Sequence, residues 1–391
     1  MNNKRSTVFN SPKVAIIGTG LVGTSVAFAC LMRSVASDFI LYDIDENFAE
    51  GQTLDLEDSA FFSSAKIVTA VSDPYSALAD GPGVSNRASS LKVPISAIGQ
   101  ADIIVMTAGY RQAPGESRDK LLERNENVLK DVLSKIQPIK SSAILIMVTN
   151  PVNIMTFMAQ KLSGLPANQV FGSGTTLDTA RFRGAIQKAL VRKNRGASSS
   201  ASSCSSDDGA YESDEEDSIG AVDENAIQAF IVGDHGDKQV AVWSSATIAG
   251  HPLNELPELE SKVTQSKIAH QTAHRIYEIV DRKIASGFGI GAIVSELVAA
   301  IVFDKKIVVP LSIYSERYDA CIALPTVLGA RGIGRTVHPR MSEQEELALQ
   351  DYVRANQEAC KHYRKSNTMK RPAESQLVKE QLAREQLARE Q

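Results

Sequence analysis

The sequence predicts an α/β fold in which a doubly wound parallel sheet is followed by an α+β region. Four short apolar runs carry this prediction, at residues 14–17, 39–42, 103–106 and 144–148. Continuous apolar runs of this length are typical of strands that are buried on both faces of a parallel sheet. Segments with helical periodicity lie between the runs, and alternating strands and helices indicate βαβ units.

The predicted elements follow this alternation along the chain. Helices are predicted at residues 21–34, 46–58 and 120–135. Beyond residue 150 the alternation loosens, and the pattern predicts a helix at 179–192, a strand at 226–232, a helix at 262–283 and a strand pair at 307–314 and 320–324. We therefore expect a first domain at residues 13–173 and a second domain at residues 174–361.

Three segments are predicted to lie outside the core. Residues 81–99 are rich in Gly, Ser and Pro, residues 197–217 are almost entirely Ser, Asp, Glu, Gly and Ala, and the charged tail at residues 362–391 repeats Gln-Leu-Ala-Arg-Glu. Such compositions bury too little apolar surface to fold. For the acidic segment we predict an inert surface loop, with phosphorylation of Ser213 as the alternative.

Composition narrows the classes of partner. The formal net charge of the 391 residues is -4, and no basic stripe indicates nucleic-acid binding. No apolar run approaches the roughly 20 residues that span a bilayer, and the first residues lack an apolar leader. The four cysteines show no paired CxxC spacing, so neither a metal site nor a disulfide framework is indicated. We expect a cytoplasmic protein.

A glycine motif follows the first predicted strand. Gly18, Gly20 and Gly23 have the spacing Gly-x-Gly-x-x-Gly and open the next helix, and Asp43 lies about 20 residues further on, after the second strand. Gly18 suits the tight turn, Gly20 lets the backbone approach a pyrophosphate, and Gly23 allows the helix to pack on the sheet. A carboxylate at Asp43 would accept the ribose hydroxyls and repel a 2′-phosphate. The motif predicts a Rossmann-type domain that binds NAD rather than NADP.

Four further motifs stand in chain order at residues 108–118, 149–153, 178–183 and 233–237. They read AGYRQAPGESR, TNPVN, DTARFR and GDHGD, and together they resemble the L-lactate/malate dehydrogenase family over residues 13–361. The resemblance implies an NAD-dependent exchange of a hydride with a small 2-hydroxy or 2-oxo acid. It also implies assembly as a homotetramer or dimer.

The resemblance implies a role for each motif residue. His235 would be the acid/base, since a histidine holds either protonation state near neutrality. Asp178 would orient and stabilise the charged ring, and Arg181 would bind the substrate carboxylate through two parallel hydrogen bonds. Arg118 would polarise the carbonyl from a mobile loop, and Asn150 would hydrogen-bond the substrate oxygen. The cofactor-binding residues expected from both lines of reasoning are Gly18, Gly20, Leu21, Val22, Gly23, Asp43, Gly109, Val148, Asn150 and Ser173.

Two positions bear on the substrate. Gln112 falls where the resemblance places the residue that faces the substrate side chain, and a neutral residue favours pyruvate over oxaloacetate. The neighbouring Arg111 would reverse this prediction if the register were shifted by one residue. Ser286 matches a position in the substrate pocket, and its small side chain leaves larger 2-oxo acids possible as substrates. These two positions leave a malate dehydrogenase or a broader 2-hydroxyacid dehydrogenase as alternatives. A separate alternative is a non-catalytic protein on the same fold.

A regulatory anion site is not expected. Some relatives of this kind use an arginine that matches Arg183 and a histidine that matches Gln228 to bind a sugar bisphosphate. The neutral Gln228 and the acidic segment nearby in sequence both disfavour a phosphate. We therefore expect no activation by a bisphosphate.

Overall fold

The computed structural model describes residues 12–63, 65–72, 91–111, 118–198, 222–283 and 285–361. The first part of the chain forms β1 (Lys13–Ile17), α1 (Leu21–Met32), β2 (Asp38–Tyr42), α2 (Glu46–Ser59), β3 (Lys66–Val71), β4 (Lys92–Pro94), β5 (Ile103–Met106), α3 (Arg118–Lys135), β6 (Ile144–Met147), α4 (Val152–Leu162) and β7 (Val170–Gly172). The second part forms α5 (Thr176–Ser198), β8 (Ile227–Gly233), β9 (Gln239–Ile248), β10 (His251–Pro252), α6 (Lys262–Val280), α7 (Phe288–Val302), β11 (Ile307–Ser315), β12 (Ala320–Gly329), β13 (Gly332–Thr336) and α8 (Glu343–Ala359).

The first seven strands form a parallel sheet, and the four predicted strands correspond to β1, β2, β5 and β6. The order of the seven is β4-β3-β2-β1-β5-β6-β7, so the chain runs outward from β1 first on one side and then on the other. This reversal between β1 and β5 is the topological switch point at which open α/β sheets bind ligands. The sheet continues through β11, which is antiparallel to β7, and then through β12, β8, β9 and β10.

Both faces of the parallel sheet are covered. Val14 and Ile16 of β1 belong to a core cluster that also contains residues of α1 and α7, whereas Ala15 and Ile17 belong to a second cluster with residues of α3 and α4. Successive residues of a strand point to opposite faces, so a strand that is covered on both faces needs apolar residues at every position. This requirement explains the continuous apolar runs in the sequence.

The predicted insertion at residues 81–99 is wrong at its C-terminal end. Lys92–Pro94 form the edge strand β4, and Ile95–Gln100 form a 3-10 helix in which Ile95 and Ile98 are buried in the core. Composition misled the prediction because the core residues follow directly after a polar stretch. Residues 197 and 198 lie in α5 rather than in a loop. The rest of the acidic segment, with Ser213, and the tail at 362–391 lie outside the described residues.

In the part of the chain that the structure describes, no helix combines the length and hydropathy needed to cross a bilayer.

Candidate active site

The glycine motif forms a cradle at the switch point of the sheet. Gly18 has a positive φ of 91°, and a Cβ at this position would lie 2.5 Å from the backbone nitrogen of Ala108. A Cβ on Gly23 would lie 1.8 Å from the Gly18 carbonyl oxygen. At Gly20, by contrast, a Cβ would have no neighbour within 4 Å, so this face of the turn is open. Two glycines are therefore needed for packing, and the third leaves the space into which a pyrophosphate fits.

The helix that follows the cradle has a free N-terminus. The N-cap residue of α1 is Gly20, no side chain caps the helix, and the first turn contains no acidic residue. The first backbone N–H groups of a helix have no partner within the helix, and the dipole favours a negative charge there. The start of α1 therefore suits the phosphates of a dinucleotide.

Asp43 lies at the carboxyl end of β2, next to this turn. Its Oδ2 accepts hydrogen bonds from the backbone N–H of Thr19 at 2.7 Å and from the Thr19 hydroxyl at 3.3 Å. The carboxylate is thus fixed beside the glycine turn. The contact between Asp43 and the ribose of NAD stays a prediction, and the residues present fit the cofactor.

The ends of β5, β6 and β7 complete the same edge of the sheet. Gly109 follows β5, where a Cβ would lie 2.5 Å from a methyl group of Thr149. Val148 and Asn150 follow β6, and Ser173 follows β7. The predicted cofactor-binding residues therefore lie at the carboxyl ends of neighbouring parallel strands, which is where ligands bind in folds of this kind.

Sequence reasoning missed a buried residue that organises this edge. Asn125 of α3 is fully buried; its amide donates to the Asn150 carbonyl at 2.7 Å, and its Oδ1 accepts from the Tyr110 N–H at 2.6 Å. It ties together the two loops that carry Gly109 and Asn150. No local pattern marks such a residue, because its partners are backbone groups of distant segments.

His235 and Asp178 form the centre of the candidate site. Nδ1 of His235 lies 2.6 Å from Oδ2 of Asp178, and Oδ1 of Asp178 accepts from the Arg181 guanidinium at 3.3 Å. The Asp178 side chain is 4% exposed, Arg181 13% and His235 30%. A carboxylate that accepts from Nδ1 fixes the tautomer and leaves Nε2 for proton transfer. The structure thus brings the three predicted residues together.

Two elements hold this group in place. Asp178 and Arg181 are one turn apart on α5, and His235 follows β8. Both backbone groups of Ile231 in β8 bind to the start of this helix. The hydroxyl of Thr175, just before α5, donates to the Ile231 carbonyl at 2.5 Å, and the Ile231 N–H donates to the hydroxyl of Thr179 at 3.0 Å. These bonds fix the distance between the helix and the strand that carry the catalytic pair.

The turn before His235 has its own support. Gly233 has a positive φ of 84°, and its carbonyl accepts from Asn153 Nδ2 at 2.9 Å. The same amide lies 2.7 Å from the Tyr352 hydroxyl, and Asn153 Oδ1 accepts from Ser312. Asn153 stands in the TNPVN motif, yet its structural role did not emerge from the sequence.

The charges of the group shift both pKa values. Burial opposes ionisation of Asp178. His235 offsets this effect through its charge and its hydrogen bond, and the charge of Arg181 adds to it, so the pKa of Asp178 lies below its ordinary value. Burial also disfavours the charged form of His235, but the charge and hydrogen bond of Asp178, together with the charge of Asp234, outweigh this effect and raise the pKa of His235. Ion pairing therefore outweighs desolvation in both residues.

The remaining predicted residues are only partly described. Gln112 lies outside the described residues, and the structure gives the backbone of Arg118, at the start of α3, but not its side chain. Ser286 is partly buried next to Gly287, where a Cβ would lie 2.8 Å from Leu21 Cγ. The segment with Ser286 therefore packs beside the glycine motif.

Arg183 makes structural contacts. Its Nε donates to the Ala229 carbonyl at 3.0 Å, and its guanidinium lies 5.3 Å from the centre of the Phe230 ring. Gln228 is exposed, and its amide lies 3.4 Å from the Asn225 carbonyl. The absence of bisphosphate activation stays a prediction.

Comparison with known proteins places this geometry in a family. A family model described as lactate/malate dehydrogenase, NAD binding domain, matches residues 12–94 and 83–172, and a second model, for the alpha/beta C-terminal domain of the same family, matches residues 175–362. The L-lactate dehydrogenase A of Rhizopus oryzae is 36% identical over 343 residues, which cover 88% of this chain and 90% of the relative. The L-lactate dehydrogenase of Thermus aquaticus is 32% identical over 345 residues, which cover 86% of this chain and 94% of the relative.

Solved structures agree. The minor L-lactate dehydrogenase from Enterococcus mundtii superposes with a TM-score of 0.72 at 27% identity, covering 90% of this chain and 98% of that one. The motif-based resemblance is thereby confirmed, as are the fold class and the NAD cofactor. The chain belongs to the lactate/malate dehydrogenase family of NAD-dependent oxidoreductases.

Proposed function

We propose that the chain is an L-lactate dehydrogenase, which interconverts L-lactate and pyruvate with NAD. The single observation that carries the proposal is the His235–Asp178 pair at 2.6 Å, with Arg181 beside it. A general acid/base, a group that orients it and a carboxylate-binding cation are the groups that oxidation of a 2-hydroxy acid requires. The names of the curated relatives support the same activity.

Each residue of the group has a part in the proposed mechanism. NAD, when bound, supplies the acceptor for the hydride that leaves C2 of the substrate. Nε2 of His235 takes the proton of the hydroxyl group in oxidation and returns it in reduction. Asp178 keeps the ring in one orientation and stabilises its charged form. Arg181 uses one N–H for Asp178 and has further donors for the substrate carboxylate.

Arg118, Asn150 and Ser286 complete the proposed substrate site. Arg118 would polarise the carbonyl of pyruvate, and Asn150 would donate a hydrogen bond to the same oxygen. Asn150 is exposed at the end of β6, and its backbone is held by Asn125. Ser286 would line the pocket for the substrate side chain.

The preference for pyruvate rests on Gln112. A neutral side chain offers no partner to the second carboxylate of oxaloacetate. The competing candidate is a malate dehydrogenase, which the adjacent and exposed Arg111 would favour. Rates of NADH consumption with pyruvate, oxaloacetate and a branched 2-oxo acid separate the two. A clear preference for oxaloacetate would overturn the lactate proposal.

A substitution at Gln112 tests the same point. We expect Gln112→Arg to shift the ratio of kcat/KM values from pyruvate toward oxaloacetate, because an arginine pairs with the added carboxylate and stays unpaired when pyruvate binds. Arg111→Gln is the matched control and is expected to leave the ratio near that of the wild type. A ratio that responds to Arg111→Gln and not to Gln112→Arg would show that Arg111 sets the specificity.

The pH dependence of the reaction follows from the pair. Pyruvate reduction needs protonated His235, so its kcat/KM is expected to fall as the pH rises through the raised pKa of His235, whereas kcat/KM for lactate oxidation rises over the same range. In Asp178→Asn the carboxylate that raises this pKa is gone and burial still lowers it. In this variant the fall of kcat/KM for pyruvate reduction and its rise for lactate oxidation should therefore both occur at lower pH, and both rates should also decrease. Limbs at an unchanged pH would mean that a group other than His235 titrates.

We also infer self-association, as a homotetramer or dimer, in the cytoplasm. Phe28, Met32 and Phe288 are exposed large apolar residues around a cavity of about 610 Å³ between α1, α2 and α7. Exposed apolar patches of this kind mark interaction surfaces, and a second copy of the chain is the partner that we infer. The described cysteines are buried free thiols, which supports a reducing compartment. Sedimentation velocity tests the assembly, and a monomer at micromolar concentration would contradict it.

A further inference from the structure

Helix α6 carries two histidines on one face. His270 is exposed and His274 is partly exposed, one turn further along. Their rings are stacked, with centroids 3.8 Å apart and planes 12° apart. Residues four apart on a helix lie one above the other, so both imidazoles reach the same patch of surface. Neither residue belongs to the site that surrounds His235.

The orientation of the His274 ring is fixed by its own helix. Nδ1 of His274 lies 3.0 Å from the carbonyl oxygen of His270. A carbonyl oxygen can only accept, so Nδ1 carries the proton and Nε2 carries the free lone pair. Histidines that bind metals almost always donate the second ring nitrogen to a carbonyl or carboxylate in this way. His274 therefore has the tautomer of a metal ligand.

The backbone beneath the pair is well anchored. Ile268 and Thr272 of α6 are buried, and the buried Gln265 donates to the Leu259 carbonyl at 2.8 Å. At the other end the Tyr277 hydroxyl donates to Asp237 at 2.9 Å. The helix is thus held on both sides of the pair, and only side-chain rotation is needed to bring two ring nitrogens together.

We propose that His270 and His274 form a binding site for a divalent transition-metal ion. The two ring nitrogens would be the protein ligands, after a rotation of the exposed His270 ring out of the stack, and water would complete the coordination. Imidazole ligands suit Zn²⁺, Ni²⁺ and Cu²⁺, not the hard cations Mg²⁺ and Ca²⁺. The site would bind reversibly and with modest affinity, since it has two protein ligands.

Glu278, a carboxylate one turn further along the helix, is not counted as a third ligand. Glu278 lies four residues beyond His274 on the same face, and it pairs with Arg275 at 2.8 Å. Both side chains of this pair are about half exposed, and such surface pairs contribute little to stability. Among the described residues no three metal-binding side chains are grouped closely enough to hold an ion, so the site consists of the histidine pair.

Isothermal titration of the untagged, full-length protein with NiCl₂ tests the proposal. We expect one saturable site. His270→Ala and His274→Ala should each weaken binding at least tenfold, because either change leaves a single ligand. His251→Ala, which removes an exposed histidine on β10, is the matched control and should leave the affinity unchanged.

Two results would overturn the proposal: wild-type protein that shows no saturable Ni²⁺ binding, or binding that survives both single substitutions. Equal NADH affinity in all variants shows that the fold is intact. If His274→Ala does not fold, His270→Ala decides alone, since its side chain is exposed and its loss disturbs no core contact.

Discussion

Replacing His235 with alanine is expected to lower kcat for pyruvate reduction by roughly 10²–10⁴-fold, the usual contribution of a positioned general acid. Nδ1 of His235 is held by Asp178 at 2.6 Å, and no other histidine among the described residues lies against that carboxylate. The variant therefore has no group that can donate the proton in its place. NADH binding should persist, because the glycine cradle and Asp43 lie on the first two strands and their loops.

Stopped-flow single turnover and NADH fluorescence measure the two quantities separately. His251→Ala is the control, since it removes an exposed histidine on β10 and leaves the group around Asp178 untouched. A drop of less than tenfold in His235→Ala would remove His235 from proton transfer. Loss of NADH binding along with turnover would instead indicate that the variant fails to fold.

Four strands of the parallel sheet could be predicted because they are buried on both faces, whereas the equally buried β3 was missed. Such burial leaves the continuous apolar runs of β1, β2, β5 and β6 as a strong local signal. The three-residue strands β4 and β7 gave no such signal. Helix α7 escaped prediction because it is almost wholly apolar, and an apolar run without a polar face does not reveal its period.

The site could be predicted only in part, for a related reason. The glycine motif is local, and its spacing carries its own explanation. The pairing of His235 with Asp178 joins residues 57 positions apart, so only the resemblance of whole motifs could suggest it. Asn125 and Asn153 act on backbone carbonyls of distant segments, and no sequence pattern marks that task.

Arg181→Lys is expected to raise the KM for pyruvate by about 10- to 150-fold, with a smaller change in kcat. A lysine keeps the charge but cannot form two parallel hydrogen bonds with a carboxylate. The loss of one charge-assisted hydrogen bond is worth about 1.5–3 kcal/mol, and each 1.4 kcal/mol corresponds to a factor of ten. Arg181 is 13% exposed, so water cannot readily replace the missing donor.

Arg181 also contacts Asp178 at 3.3 Å, so the same substitution could act through the catalytic pair. The two routes differ in what they change. A residue that binds the carboxylate raises KM and leaves the pH limb of kcat in place, whereas one that only supports Asp178 shifts that limb and spares KM. Arg183→Lys is the matched control on the same helix, because its guanidinium binds the Ala229 carbonyl and faces no substrate group. An Arg181→Lys variant with unchanged KM would exclude Arg181 from the carboxylate site, whatever its effect on kcat.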